Sequence, residues 1–191
     1  MIDQSWLEYV QPQVQEFLEG TRLVRLRLTE EGVKLVPVTP AHKKTQRRIE
    51  EQIENGLPGF EPIAEFRLVP TVESYNPEPD AAAIPSSLYN AGEPNYHHTD
   101  LPFVVEIVSA ESKARDYVTK ASHYALRDIP SYLVVDVYNG TWELLSDPHS
   151  PTAGPAEYRT SHKGAFGDPI TIAVGATELV LDSSRFEQIT P

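Results

Sequence analysis

The chain has 191 residues, of which 40% are hydrophobic and 23% are charged, a composition typical of a globular protein with a sizeable core. It contains no cysteine, so disulfides, zinc–thiolate sites and cysteine nucleophiles are excluded. The formal net charge of −12 argues against a generally basic nucleic-acid-binding surface. A nucleic-acid partner would therefore need a local basic cluster.

The order of predicted elements indicates one mixed α/β domain over residues 1–191. Its core is expected at about 20–150, with an N-terminal helix before it and short strands after it. The first residues lack a basic region followed by an apolar stretch, so no signal peptide is expected. No apolar run approaches the length of a membrane span. We therefore expect a soluble cytoplasmic protein that does not enter membranes.

The first third of the chain predicts a helix, a hairpin and a second helix. Apolar spacing favours a helix over 4–19, and alternation predicts strands over 23–28 and 33–38. Thr39-Pro40 is typical of a helix start, and this second helix is predicted to end at about Asn55-Gly56. Its first turns contain the basic segment His42–Arg48, which opposes the helix dipole. An anion or an acidic surface nearby would explain that placement; a solvated face is the alternative.

The middle of the chain predicts strands over 66–69 and 81–84, followed by a polar loop over 86–100. The length of that loop suggests a lid or a binding loop. His97, His98 and Asp100 lie in it and could suggest a metal cluster. Adjacent residues in an extended loop point in opposite directions, which disfavours that interpretation.

The second half predicts a strand over 101–109, a helix over 113–127 and a strand over 132–137. A unit of this kind is most simply a right-handed crossover between parallel strands. Asn139-Gly140 then predicts a hairpin turn into a strand over 141–145. A proline-rich loop over 148–155 and two or three short strands are expected to complete the chain.

Glu106 is the most informative residue, because it lies within the apolar strand sequence Phe103–Val108. A carboxylate buried there would cost several kcal/mol, roughly, unless a cation met it. One candidate is a metal ion shared with Asp80, which precedes the strand over 81–84; the other is Lys120. A purely structural ion pair, or a glutamate at the edge of the sheet, is the alternative.

Asp80 and Glu106 are expected on neighbouring strands, where two carboxylates would suit Mg²⁺ or Mn²⁺. Such an ion could polarise a phosphoryl oxygen and activate water for hydrolysis. Lys120 lies four residues after Asp116 and four before Tyr124, so the three share a helical face. Lys120 could orient the water or stabilise the transition-state charge. A weak surface pair between Asp116 and Lys120 is the alternative.

Several of these segments together resemble a known family. The helix start Thr39-Pro40-Ala41-His42, the Pro79-Asp80 step before a strand, and above all residues 104–136 are similar to the Uma-two family. Those proteins are restriction-endonuclease-like members of the PD-(D/E)xK nuclease superfamily, and the resemblance covers most of residues 20–150. It implies a restriction-endonuclease-like mixed β-sheet flanked by helices.

The resemblance also implies roles for three residues. Asp80 and Glu106 would be the metal-binding acids, and Lys120 would be the catalytic lysine. In the superfamily the lysine usually follows two residues after the glutamate, at the position of Val108 here. In the Uma-two family it is found on the following helix, which matches Lys120.

Two functional hypotheses follow. The first is a metal-dependent endonuclease that hydrolyses phosphodiester bonds in nucleic acid with Mg²⁺ or Mn²⁺. The second is a catalytically degenerate nuclease-fold protein that acts as a binding or oligomerisation module. The acidic composition supports the second hypothesis, as does the segment Arg25–Leu28, where family members often have a glutamate. A homodimer is expected, because nucleases that cut duplexes often act as dimers.

Overall fold

The computed structural model describes residues 24–29, 32–64, 66, 68, 78–91, 96–108 and 115–189, with the backbone alone for 24–29, 32–37 and 115–116. The predicted helix over 4–19 lies outside these residues. The chain divides into two compact units, Met1–Pro40 and Ala41–Pro191. They are described separately, and the single domain over 1–191 stays a prediction.

The first unit contains the predicted hairpin. Strand β1 (Val24–Thr29) pairs antiparallel with β2 (Gly32–Pro37), and the register runs from Val24 opposite Pro37 to Thr29 opposite Gly32. The alternating sequence of each strand suits a hairpin with one half-exposed face. The structure confirms this part of the sequence analysis.

The second unit is built on a six-stranded mixed sheet with the strand order β3-β4-β5-β6-β7-β8. Strands β5 and β6 run parallel, whereas the other neighbouring pairs are antiparallel. The parallel pair confirms the strand–helix–strand unit expected from the sequence, and the mixed α/β class is also confirmed. The strands are β3 (Phe60–Ile63), β4 (Ala81–Pro85), β5 (Phe103–Ile107), β6 (Ser131–Asp136), β7 (Thr141–His149) and β8 (Glu157–Ala165).

Helices and a small second sheet flank these strands. Helix α1 (Pro40–Gly56) begins at its proline as predicted, because proline has no N–H to lose in a first turn. Of the predicted helix over 113–127, the described residues form a π-helix (Arg115–Lys120) that continues as α3 (Ala121–Leu126). The remaining elements are α2 (Ser86–Tyr89), two 3₁₀ turns (His98–Asp100 and Ser183–Arg185), and β9 (Pro169–Val174) paired with β10 (Thr177–Asp182).

Both faces of the sheet are buried at its centre, in β4, β5 and β6, and the alternation of β5 divides its side chains between the two faces. Phe103, Val105 and Ile107 pack in one cluster with Ile49 and Ile53 of α1. On the other face, Val104 and Val108 pack in a second cluster with the side chains Tyr124, Ile129, Tyr132 and Val134. Glu106 has the same parity as Val104, so its side chain belongs to the face covered by α3.

Two sequence predictions require correction, and one strand is missing from them. The sequence pattern does not predict β3, because Glu61 and Pro62 interrupt its apolar residues. The predicted loop over 86–100 contains α2 and a 3₁₀ turn. The proline-rich loop begins later than expected, because β7 continues to His149 and Pro148 still pairs with Tyr158.

The predicted strand over 66–69 is described only at Phe66 and Leu68, and Leu68 forms an isolated parallel bridge with Tyr96. Within the described residues, no helix has the length and apolar character needed to cross a membrane.

Candidate active site

Asp80 lies at the start of β4, where it bonds to β5 on both sides of Glu106. Its backbone N–H donates to the carbonyl oxygen of Val105 at 3.0 Å. Its carboxylate Oδ2 accepts a hydrogen bond from the backbone N–H of Ile107 at 2.7 Å. The register of β4 with β5 ends with Ala81 opposite Val105, and Asp80 extends the contact with β5 by one backbone and one side-chain hydrogen bond. The carboxylate is therefore fixed beside the peptide that follows Glu106.

His42 is a second contact of Asp80. It lies in the first turn of α1, is buried, and places Nε2 3.5 Å from the same Oδ2 atom. The sequence predicted an anion or an acidic surface near this basic helix start. For His42 the anion is the carboxylate of Asp80.

Glu106 is held by two residues of the following helix. Lys120 Nζ lies 2.6 Å from Oε2, and the Tyr124 hydroxyl donates to Oε1 at 2.7 Å. Residues four apart lie on the same helical face, which lets both donors reach one carboxylate. All three side chains are buried, with 2% or less of their surface exposed. The structure thus brings Glu106 and Lys120 together in the interior.

The burial of Lys120 excludes one of the two alternatives for this residue, the helix-surface pair with Asp116, and leaves its catalytic role a prediction. Only 2% of its surface is exposed, so it does not form a helix-surface ion pair. The side chain of Asp116 lies outside the described residues. Lys120 is the last residue of the π-helix. A π turn contains one residue more than an α turn, so it alters which side chains face the sheet.

Three other basic residues of the helix start face acidic side chains of the same chain. Lys44 lies 3.6 Å from Glu187, while Arg47 and Arg48 lie 3.2 and 2.9 Å from Glu51. The hydrogen bond from Arg48 lowers the pKa of Glu51, and the charges of the nearby arginines act in the same direction. These exposed pairs match the solvated face that was the alternative for this segment.

The loop histidines do not form a metal cluster. His97 and Asp100 instead cap a 3₁₀ turn, in which the backbone N–H of His97 donates to Asp100 Oδ2 at 3.0 Å. Throughout the described part of the chain, no group of three or more histidine, aspartate or glutamate side chains is placed to hold a metal.

A two-carboxylate site is nevertheless compatible with magnesium. Mg²⁺ is often bound by one or two protein carboxylates, and water and substrate phosphate complete its coordination. The buried carboxylates of Asp80 and Glu106 would offer hard oxygen ligands to such an ion. An ionised carboxylate offers about four lone-pair sites, so one that accepts protein hydrogen bonds can still coordinate a cation. The donor set therefore fits Mg²⁺ or Mn²⁺.

Sequence reasoning missed two contacts of this site. The spacing puts Tyr124 on the same face as Lys120 but does not predict its hydrogen bond to Glu106. The sequence identifies His42 only as part of a basic segment, and nothing in it pairs His42 with Asp80. The available signal was the four-residue spacing of Lys120 and Tyr124.

Comparisons with known proteins agree on the kind of fold. A family model described as "Uma2: Putative restriction endonuclease" matches residues 9–175. A crystal structure described as "a putative nuclease belonging to DUF820", from Anabaena variabilis ATCC 29413, matches with a TM-score of 0.54 and 15% sequence identity. That match covers 79% of this chain and 82% of the other. No curated protein matches the chain.

Proposed function

Because the chain belongs to the Uma2 family, described as "Putative restriction endonuclease", we propose that it is a metal-dependent endonuclease that hydrolyses phosphodiester bonds in nucleic acid. The nuclease fold and the family membership limit the class of reaction. The metal requirement, the catalytic residues and the substrate are part of the proposal.

The observation that carries the proposal is the arrangement around Glu106. A buried glutamate lies between the two points at which Asp80 bonds to the same strand, and a buried lysine contacts its carboxylate. Burying two carboxylates and an ammonium is expensive in stability, and replacing such groups by apolar side chains is often neutral or stabilising. Strongly desolvated charges grouped in this way are typical of functional sites.

Asp80 and Glu106 are the residues that would hold Mg²⁺ or Mn²⁺. When bound, the ion would act as a Lewis acid on a phosphoryl oxygen and would lower the pKa of a coordinated water. Lys120 would supply positive charge to the oxyanion that develops on the phosphate. In a buried site such a preorganised charge acts more strongly than it would in water.

The family suggests nucleic acid as the substrate, which is a polyanion, whereas the chain itself is negatively charged. At a net charge of −12, binding to a polyanion is expected to depend on the metal and on a limited set of cations. The basic residues Lys44, Arg47 and Arg48 already face glutamates. We therefore expect low affinity for nucleic acid without a divalent metal. We also propose a cytoplasmic homodimer.

Calorimetric titration with Mn²⁺ tests the metal site before any substrate is chosen. We expect the native chain to bind Mn²⁺ and Glu106→Gln to lose most of that binding. Glu143→Gln is the matched control, because Glu143 contacts Lys163 at 3.2 Å on β7, in a different part of the sheet. Equal Mn²⁺ binding by the native chain and Glu106→Gln would contradict the assignment of Glu106.

A nuclease assay then follows on plasmid DNA and on single-stranded RNA, with Mg²⁺ or Mn²⁺ present. Cleavage by the native chain and Glu143→Gln, but not by Glu106→Gln or Lys120→Met, is the expected result. The second candidate function is a degenerate binding module. It is supported by the two protein donors that already occupy Glu106, and the absence of Mn²⁺ binding by the native chain would favour it.

A further inference from the structure

Tyr124 has a hydroxyl group whose contact the proposed reaction does not by itself require. It donates to Glu106 Oε1 at 2.7 Å, and its side chain has no exposed surface. We propose that Tyr124 is a positioning residue, which holds the Glu106 carboxylate in the orientation that binds the divalent metal. This inference rests on the proposed function, because the carboxylate that Tyr124 would orient is the proposed metal ligand Glu106.

Contacts of the backbone and of the ring hold Tyr124 in place. The Tyr124 carbonyl oxygen accepts hydrogen bonds from the backbone N–H groups of Arg127 and Ile129, both at 3.2 Å. Its ring packs on Tyr132 with a centroid distance of 5.0 Å, and Tyr132 packs on Tyr158 at 6.3 Å. A metal ligand is best oriented by a donor that is itself held in this way.

The two donors to Glu106 would respond differently to a cation. Lys120 is charged and has a flexible four-carbon stem, so a divalent ion at Glu106 would repel its ammonium group. The Tyr124 hydroxyl is neutral and sits on a rigid ring, so it can keep its hydrogen bond beside a metal. Tyr124 is therefore the donor that can hold Glu106 in the same orientation with and without the ion.

The alternative is that the hydroxyl only satisfies a buried carboxylate and adds stability. A second tyrosine of the same stack provides the matched control. Tyr158 also donates its hydroxyl, to the carbonyl oxygen of Ile129 at 2.9 Å, and it packs against Tyr132 rather than contacting Glu106. Tyr124→Phe and Tyr158→Phe each remove one hydroxyl hydrogen bond and keep the aromatic ring.

The test combines Mn²⁺ calorimetry with urea unfolding for the native chain and both variants. We expect Tyr124→Phe to bind Mn²⁺ about 10-fold more weakly or worse, in the range usual for the loss of a group that orients a metal ligand. We expect Tyr158→Phe to bind like the native chain, although both variants unfold at lower urea concentration. A purely structural role would change the unfolding midpoint without changing the metal affinity.

Each outcome has a definite meaning. If the native chain binds Mn²⁺ and Tyr124→Phe binds it equally well or more tightly, the positioning role is wrong and the proposed function stands. If both tyrosine variants bind Mn²⁺ equally weakly, the positioning role is also wrong. A Tyr124→Phe chain that no longer folds would likewise contradict it, because the hydroxyl would then be needed for the fold. If the native chain binds no Mn²⁺, the metal-dependent function fails, and the role of Tyr124 fails with it.

Discussion

The carboxylate of Asp80 accepts a 2.7 Å hydrogen bond from the backbone N–H of Ile107, one residue beyond the last registered pair of β4 with β5. The Asp80 side chain thus adds a hydrogen bond to β5 at the end of the paired segment. Ile107 is the residue after Glu106, so this bond sets the position of one buried acid relative to the strand that contains the other. It ties the candidate metal site to the sheet itself.

Substitutions of Asp80 should separate the effect of its hydrogen bond on stability from the effect of its charge on metal binding. Asp80→Asn keeps an oxygen that can accept from Ile107, whereas Asp80→Ala leaves that buried N–H without this acceptor. We expect Asp80→Ala to lose about 1–3 kcal/mol of unfolding free energy, and Asp80→Asn to lose less. Both variants should lose Mn²⁺ binding. Urea unfolding and calorimetry measure the two effects, and equal stability of the two variants would contradict the role of the Ile107 bond.

Replacing Lys120 alone should strongly lower the unfolding free energy. Lys120→Met leaves the buried Glu106 carboxylate without its cation, so we expect a loss of about 3–5 kcal/mol in unfolding free energy. The double variant Lys120→Met with Glu106→Gln should be more stable than Lys120→Met alone, because the unpaired charge is gone. Lys163→Met is the control, since Lys163 is 69% exposed and its pair with Glu143 should contribute under about 1 kcal/mol. Similar losses in Lys120→Met and Lys163→Met would argue against a buried pair.

Glu51 should make stability depend on pH in the acid range. Its carboxylate contacts Arg47, Arg48 and Arg185, and the hydrogen bond from Arg48 is the largest cause of a pKa below the ordinary value of 4.5. A lowered pKa means that the contribution is fully present above pH 4.5 and is lost as the pH falls through the folded-state pKa. Melting temperatures of the native chain and Glu51→Gln should therefore differ near neutral pH and converge in acid.

The control for this prediction is Glu54→Gln, which changes an exposed glutamate of the same helix. Its melting temperature should stay close to that of the native chain throughout the pH series. High salt should reduce the difference caused by Glu51→Gln, because the arginine pairs are solvent-accessible. A difference that grows as the pH falls would have the wrong sign for a lowered pKa.

Gly164 should be difficult to replace even by alanine. It lies opposite Trp142 in the β7–β8 register, and a Cβ atom there would overlap the indole ring, with Cε2 at 2.6 Å. Trp142 cannot easily move, because its Nε1–H donates to the carbonyl oxygen of Ala165 at 3.1 Å. We expect Gly164→Ala to cost about 1–3 kcal/mol of unfolding free energy. The cost should shrink in a Trp142→Leu background, and a cost that is unchanged there would exclude the ring as its cause.

Much of the fold could be predicted because its signals are local. The start of α1 at Pro40, the turn at Asn139-Gly140 and the apolar runs of β5 and β6 each depend on residues close in sequence. The isolated acid in one of those runs was sufficient to select Glu106. Asp80 and Lys120 were selected with it, partly through resemblance to the Uma-two family, and their catalytic roles stay predictions.

The sequence by itself therefore determined the first hairpin, the two longer helices that the structure describes, the central strands and the acids worth testing, because hydrophobic periodicity and turn residues act between near neighbours. Only the tertiary structure decided which groups meet. The pairing of His42 with Asp80 and of Tyr124 with Glu106 depends on how helices pack on a sheet, and on a π turn that changes the helical phase. Those positions are set by the packing of the whole second unit, which no local pattern encodes.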